Sequence, residues 1–151
     1  MKVEFLLSKH CELPIWIFKI GALKIGVLNS DCWVVDIKGQ IEVASVKNIM
    51  GFLPLLELDR RVVSAHLEEV WAICTGLNSF PTFPEDLLLR CALESSVSDY
   101  WPSKSLDWMS EGISENIRDI LVRSSELPWA NQKINHRIAK ILKSDTGRIQ
   151  T

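Results

Sequence analysis

Residues 23–44 read LKIGVLNSDCWVVDIKGQIEVA, and the punctuation of this stretch decides the fold class. Three short runs, Leu23 to Leu28, Cys32 to Ile37 and Gln40 to Ala44, are separated by Asn29-Ser30-Asp31 and by Lys38-Gly39. β-branched and aromatic side chains suit a pleated, half-buried surface, while Asn, Asp and Gly tolerate the backbone of tight turns. The stretch therefore predicts an antiparallel meander. Residues 3–7 read as a first strand. Glu12 to Ile20 stays open between a short helix and a strand, because so short an apolar run does not reveal its period.

Downstream, the period changes. From residue 57, Leu58, Val62, Val63, His66, Leu67, Val70, Trp71 and Cys74 fall on one face of a 3.6-residue helix. Glu57, Arg60, Arg61, Ser64, Glu68 and Thr75 fall on the other, with Glu69 at the border and Gly76 as C-cap. A second helix opens at Thr82-Phe83-Pro84-Glu85, which has capping-box spacing, and buries Leu88, Cys91 and Ala92. A third runs from about Pro102 to Ser110, with Trp101, Trp108 and Met109 inward and Gly112 as its stop. A fourth is capped by Ser114 and presents Ile113, Ile117, Ile120 and Leu121 before Pro128; a fifth spans about Trp129 to Lys143 and buries Ala130, Ile134, Ile138 and Ile141. The expectation is an α+β fold: a small N-terminal antiparallel β-meander followed by a five-helix C-terminal bundle. Without a linker or repeat, residues 1–151 read as one domain, β-rich over 1–50, helical over 55–143, with a tail over 144–151.

Composition narrows the class. With 47% hydrophobic and 24% charged residues, the chain is too apolar for disorder. A net charge of −2 argues against a generic nucleic-acid binder, though not against a local basic face. Leu13 to Leu28 is short of a membrane span and holds Lys19 and Lys24, and Phe5-Leu6-Leu7 is too short for a signal sequence. Cys11, Cys32, Cys74 and Cys91 form no C-x-x-C pair and have no histidines at zinc spacing, so they read as reduced thiols in a cytoplasmic protein.

No catalytic, cofactor or metal constellation emerges. Asp145-Thr146-Gly147 matches the triplet of aspartic proteases, but that chemistry needs two facing carboxylates and the triplet occurs once. Phosphate-loop, dinucleotide, nucleophile-elbow, zincin and EF-hand spacings are all missing. Cys11 beside His10 resembles a nucleophile and its base, yet neighbours on a strand point to opposite sides. An enzyme would have to be assembled from distant residues, such as Cys11 with His66 or His136. His66 itself reads as a hydrogen-bonded core residue. The chain is rich in tryptophan (residues 16, 33, 71, 101, 108 and 129), which packing mostly explains; an exposed one would mark a binding surface.

Charge is uneven. Residues 51–100 carry eight acids against three bases, and residues 131–151 carry five bases against Asp145. The candidate partner-binding residues are thus Glu57, Glu68, Glu69, Glu85 and Asp86. A second face gathers Lys133, His136, Arg137, Lys140 and Lys143 on the last helix. The plainest account of that face is a solvated surface with cations near a helix C-terminus; the functional ones are a phosphate-contacting helix or half of a protein interface.

Tyr100-Trp101, Leu106-Asp107-Trp108, Trp129, Gln132, His136-Arg137 and Lys140 resemble a pattern of small bacterial cytosolic proteins encoded beside secreted toxins, namely the immunity proteins of contact-dependent growth inhibition systems. The resemblance covers roughly residues 88–143. These families share no universal motif, so no toxin-contacting residue carries over. The resemblance implies a non-enzymatic protein that binds and blocks one cognate toxin, often a nuclease, and an acidic surface suits a basic nuclease. The alternative expectation is a nucleic-acid-binding regulator using the basic last helix.

Overall fold

A computed structural model describes residues 2–8, 12–74 and 77–149, with side chains as far as 145. The chain divides into two compact units, residues 1–84 and 85–151, each described by itself.

The first unit is the predicted meander with a helix. Strands β1 (Val3–Phe5), β2 (Ile15–Ile20), β3 (Leu23–Asn29), β4 (Cys32–Ile37) and β5 (Gln40–Val43) form one antiparallel sheet in sequence order. The segment left open is thus strand β2. Its pairing shifts register between Trp16 and Phe18, so its apolar residues do not follow a clean period of two. The β4–β5 turn is Lys38-Gly39 with φ of 53° and 87°, the mirror-image geometry whose twist matches a hairpin. Gly39 N–H also donates to Asp36 Oδ1 at 2.8 Å.

Register lines up Phe18, Ile25 and Val35 across three strands, and Ile15, Val27 and Trp33 beside them. All six are buried. Ala44 N–H donates to Trp33 C=O, which turns the backbone groups of Ile41 and Val43 toward the open edge of β5. Asn48 Nδ2 closes part of that edge by donating to Val43 C=O at 2.9 Å.

A 3₁₀ segment, Ile49–Glu57, follows the sheet and was not foreseen. Its apolar residues recur at three-residue steps, Ile49-Phe52-Leu55 and Leu53-Leu56, and all five are buried. That spacing stacks side chains in a helix of three residues per turn, and Pro54 removes one backbone donor. Helix α1 (Arg60–Ile73) starts later than expected, because Asp59 caps it by accepting from Arg61 N–H at 2.9 Å. Its buried stripe is narrower than the sequence suggested. Val63, His66, Val70 and Cys74 are buried, Leu58, Leu67 and Trp71 are half-buried, and Val62 is 48% exposed. A helix on a sheet buries only its central rows, at i, i+3, i+7 and i+11. Thr75 and Gly76 lie outside the described residues, as do Lys9, His10 and Cys11.

The second unit is helical: α2 (Glu85–Glu94), α3 (Tyr100–Asp107), α4 (Glu115–Val122), a short 3₁₀ turn at Ser124–Glu126, and α5 (Gln132–Ile149). Among the described residues the chain therefore has five α-helices, the first grouped with the sheet. Ser114 caps α4 as expected, its Oγ accepting from Ile117 N–H at 3.2 Å. Leu88, Cys91 and Ala92 of α2, Trp108 and Met109 after α3, Ile117, Ile120 and Leu121 of α4, and Ile134 and Ile138 of α5 are buried, whereas Ile113 and Ala130, which precede their helices, and Ile141 are only half-buried. Trp129 is not helical but buried, its Nε1–H donating to Leu93 C=O at 2.6 Å. Helix α5 opens at Asn131, whose Oδ1 accepts from Ile134 N–H at 2.9 Å. The helix does not stop at Lys143: it continues to Ile149, so Asp145-Thr146-Gly147 lies on helical backbone rather than in a tail. None of the described helices is long and apolar enough to cross a membrane.

Candidate functional site

His66 is the buried polar residue of the first unit that could have been chemical, and its geometry is structural. Its Nε2 lies 3.0 Å from Ile17 C=O. A carbonyl only accepts, so Nε2 carries the proton and donates. The ring stacks on Phe5 at 4.6 Å and 12°, with Phe18 tilted at 5.5 Å. Ile17 C=O also accepts from Leu6 N–H at 2.8 Å, so the histidine bolts α1 to strand β2 beside its register shift. Cys32, Cys74 and Cys91 are free thiols, and burial pushes the Cys91 thiol up, partly offset by a hydrogen bond with Ser95. A thiol held protonated is a poor nucleophile. Among the described residues no three His, Cys, Asp or Glu side chains come together as a metal site.

The acidic candidates separate by environment. Glu57 closes the 3₁₀ segment and has an interaction of its own. Glu85 and Asp86 occupy the first turn of α2, where the helix macrodipole stabilises carboxylates, and Glu85 has an interaction of its own. Glu68 and Glu69 are different. Both are exposed in the middle of α1, beyond the reach of its macrodipole, and neither pairs with a described residue. Around them the outer face of α1 carries exposed Ala65 and Ala72, with Val62 at 48% and Ile73 at 42% exposure. Val62, Glu69 and Ile73 form one row at i, i+7 and i+11. Sequence reading assigned Val62 to the core and so missed the apolar rim of this surface.

The basic candidates also separate. Arg137 is withdrawn from the row: Nη2 meets Asp107 Oδ1 at 2.6 Å, and Nη1 donates to Ser103 Oγ at 3.1 Å and more loosely to its C=O. It ties α5 to α3. Lys133, His136, Lys140 and Lys143 remain exposed. The residues carrying the resemblance thus include packing residues, Trp129, Trp108 and the Arg137–Asp107 pair, while Tyr100 is exposed, its ring meeting Trp101 edge-on at 4.8 Å. No tryptophan is fully exposed; Trp16, Trp71 and Trp101 are half-buried, and Trp71 stacks on Phe80 at 4.0 Å. Trp71→Ala, which full burial would place among the costliest substitutions, therefore removes a half-exposed stacking partner and costs correspondingly less.

No protein-family model, curated protein or solved structure matches the chain.

Proposed function

We propose that this chain is a binding protein of the immunity type, acting in the cytoplasm to neutralise a cognate bacterial toxin by occupying it, through the outer face of α1. The observation that supports this reading is the pair of exposed carboxylates, Glu68 and Glu69, which pair with no described residue and are set among half-exposed Val62 and Ile73. Folding gives little reason for either feature. Mid-helix acids gain nothing from the helix ends, and half-exposed Val and Ile on an outer face forgo burial. A partner explains both, since apolar contacts supply affinity and acids steer a basic protein toward them.

The reading predicts a toxin encoded beside this gene, and the test uses that protein. The double variant Glu68→Lys with Glu69→Lys should slow association by about tenfold or more at low salt and flatten its salt dependence. Both side chains are exposed, so the unfolding midpoint should stay near wild type. An association rate unchanged by the double substitution removes α1 as the interface; no binding by the wild-type chain removes the reading itself.

A further inference from the structure

The row on α5 has lost the account that suited it best in the sequence. Cations near a helix C-terminus are stabilised by the macrodipole, but only within the last turn. Helix α5 runs to Ile149, which leaves Lys140 and Lys143 in its interior and puts Lys133 second in its first turn, where a cation is disfavoured. Nor do neighbouring acids hold the row. Asp145 takes Arg118 at 2.9 Å, Asp107 takes Arg137, Asp99 takes the Asn131 amide and Glu94 takes Arg90. Lys133, His136, Lys140 and Lys143 pair with no described residue. Lys140 stands three before Lys143, a spacing at which like charges oppose each other. The exposed row stretches about 15 Å at the rise of an α-helix.

We infer that this row docks on the phosphate backbone of a nucleic-acid duplex, read by charge and not by sequence. The chemistry of the strip selects that partner. Among its described side chains the exposed apolar one is Ala139, so the strip has nothing to insert into a bilayer. Protein hot spots favour aromatics and arginine, and the helix's described arginine, Arg137, is committed to Asp107. Single strands are usually held by stacking on a succession of aromatic rings, and among the described side chains the strip offers one, the His136 imidazole. Phosphate contacts need only cations and polar donors, and Gln132 lines an open depression with Lys133 and His136 at its start, beside Asn131, whose amide is held by Asp99. The inference is independent of the α1 interface.

Fluorescence-anisotropy titration of the full chain against labelled duplex DNA, at several salt concentrations, tests it. Three lysines displacing counterions should give a slope of log K on log salt of about −3. Lys140→Gln should flatten the slope to about −2, and replacing Lys133, Lys140 and Lys143 together by Gln should abolish binding. Lys24→Gln, on the sheet, should leave the slope unchanged. Should the triple variant fail to fold, the single Lys140→Gln slope decides. No binding at low salt, a slope insensitive to Lys140, tighter binding to single-stranded RNA, or a preference for phosphatidylserine vesicles or polyglutamate would each overturn the assignment.

Discussion

Gly26→Ala should destabilise the first unit by about 3 kcal/mol, the upper end of the usual cost of overpacking, from the addition of one methyl group. Gly26 sits in the centre of β3, opposite Trp16 of β2. A Cβ built on it would lie 2.2 Å from Ile15 O, 2.9 Å from Ile15 C and 2.9 Å from Trp16 Cε3. Two of those three atoms are backbone, so no rotamer change relieves the contact. The close approach accompanies the register shift of β2 between Trp16 and Phe18. Relief would require β2 to move away from β3, which disturbs buried Ile15, Ile17 and Phe18 and the Ile17 carbonyl that His66 holds. Whole-domain stabilities are typically about 5–15 kcal/mol, so the loss is a large share. Urea unfolding followed by circular dichroism measures it. A midpoint within error of wild type would show that the two strands separate freely and that the glycine is incidental.

Trp129→Ala should be comparably damaging in the second unit, at about 3–5 kcal/mol. Trp129 is 3% exposed, just before α5, and its indole nitrogen donates to Leu93 C=O at 2.6 Å. Alanine would leave a cavity beside α2 and also remove the donor. Trp129→Phe separates the contributions: it keeps most of the volume and loses the hydrogen bond, a cost of about 1–2 kcal/mol. The ordering Ala well below Phe, and Phe below wild type, is the expected result in denaturant titration. Equal stability of all three proteins would mean that Trp129 is held for a partner instead of for packing. That outcome would return weight to the family resemblance, because Trp129 is among the residues that carry it.

The candidate sites were only partly legible in the sequence, for a reason visible in Arg137. In the sequence it belongs to a basic row at helical spacing. In the structure it turns to Asp107, thirty positions earlier, and to Ser103. Nothing in the local pattern distinguishes a cation that faces solvent from one that reaches a neighbouring helix. Val62 shows the same limit for apolar residues. Periodicity places it beside Val63, and only the packing of α1, which buries the row of Val63, His66, Val70 and Cys74, leaves it half in water.

What the sequence determined by itself is what adjacent residues encode: the meander with its Asn-Ser-Asp and Lys-Gly turns, the α+β order, the Ser114 cap, and the apolar rows of α2, α4 and α5. Those features depend on period, turn conformation and caps, all set within a few positions. Tertiary structure decided the rest. It made a strand of residues 15–20, because β1 and β3 supply the hydrogen bonds on either side. It wound residues 49–57 into a 3₁₀ segment that buries its apolar columns. It fixed His66 through a carbonyl 49 positions away and Trp129 through one 36 positions away. Those partners are chosen by which surfaces pack together, and distance along the chain carries no trace of that choice.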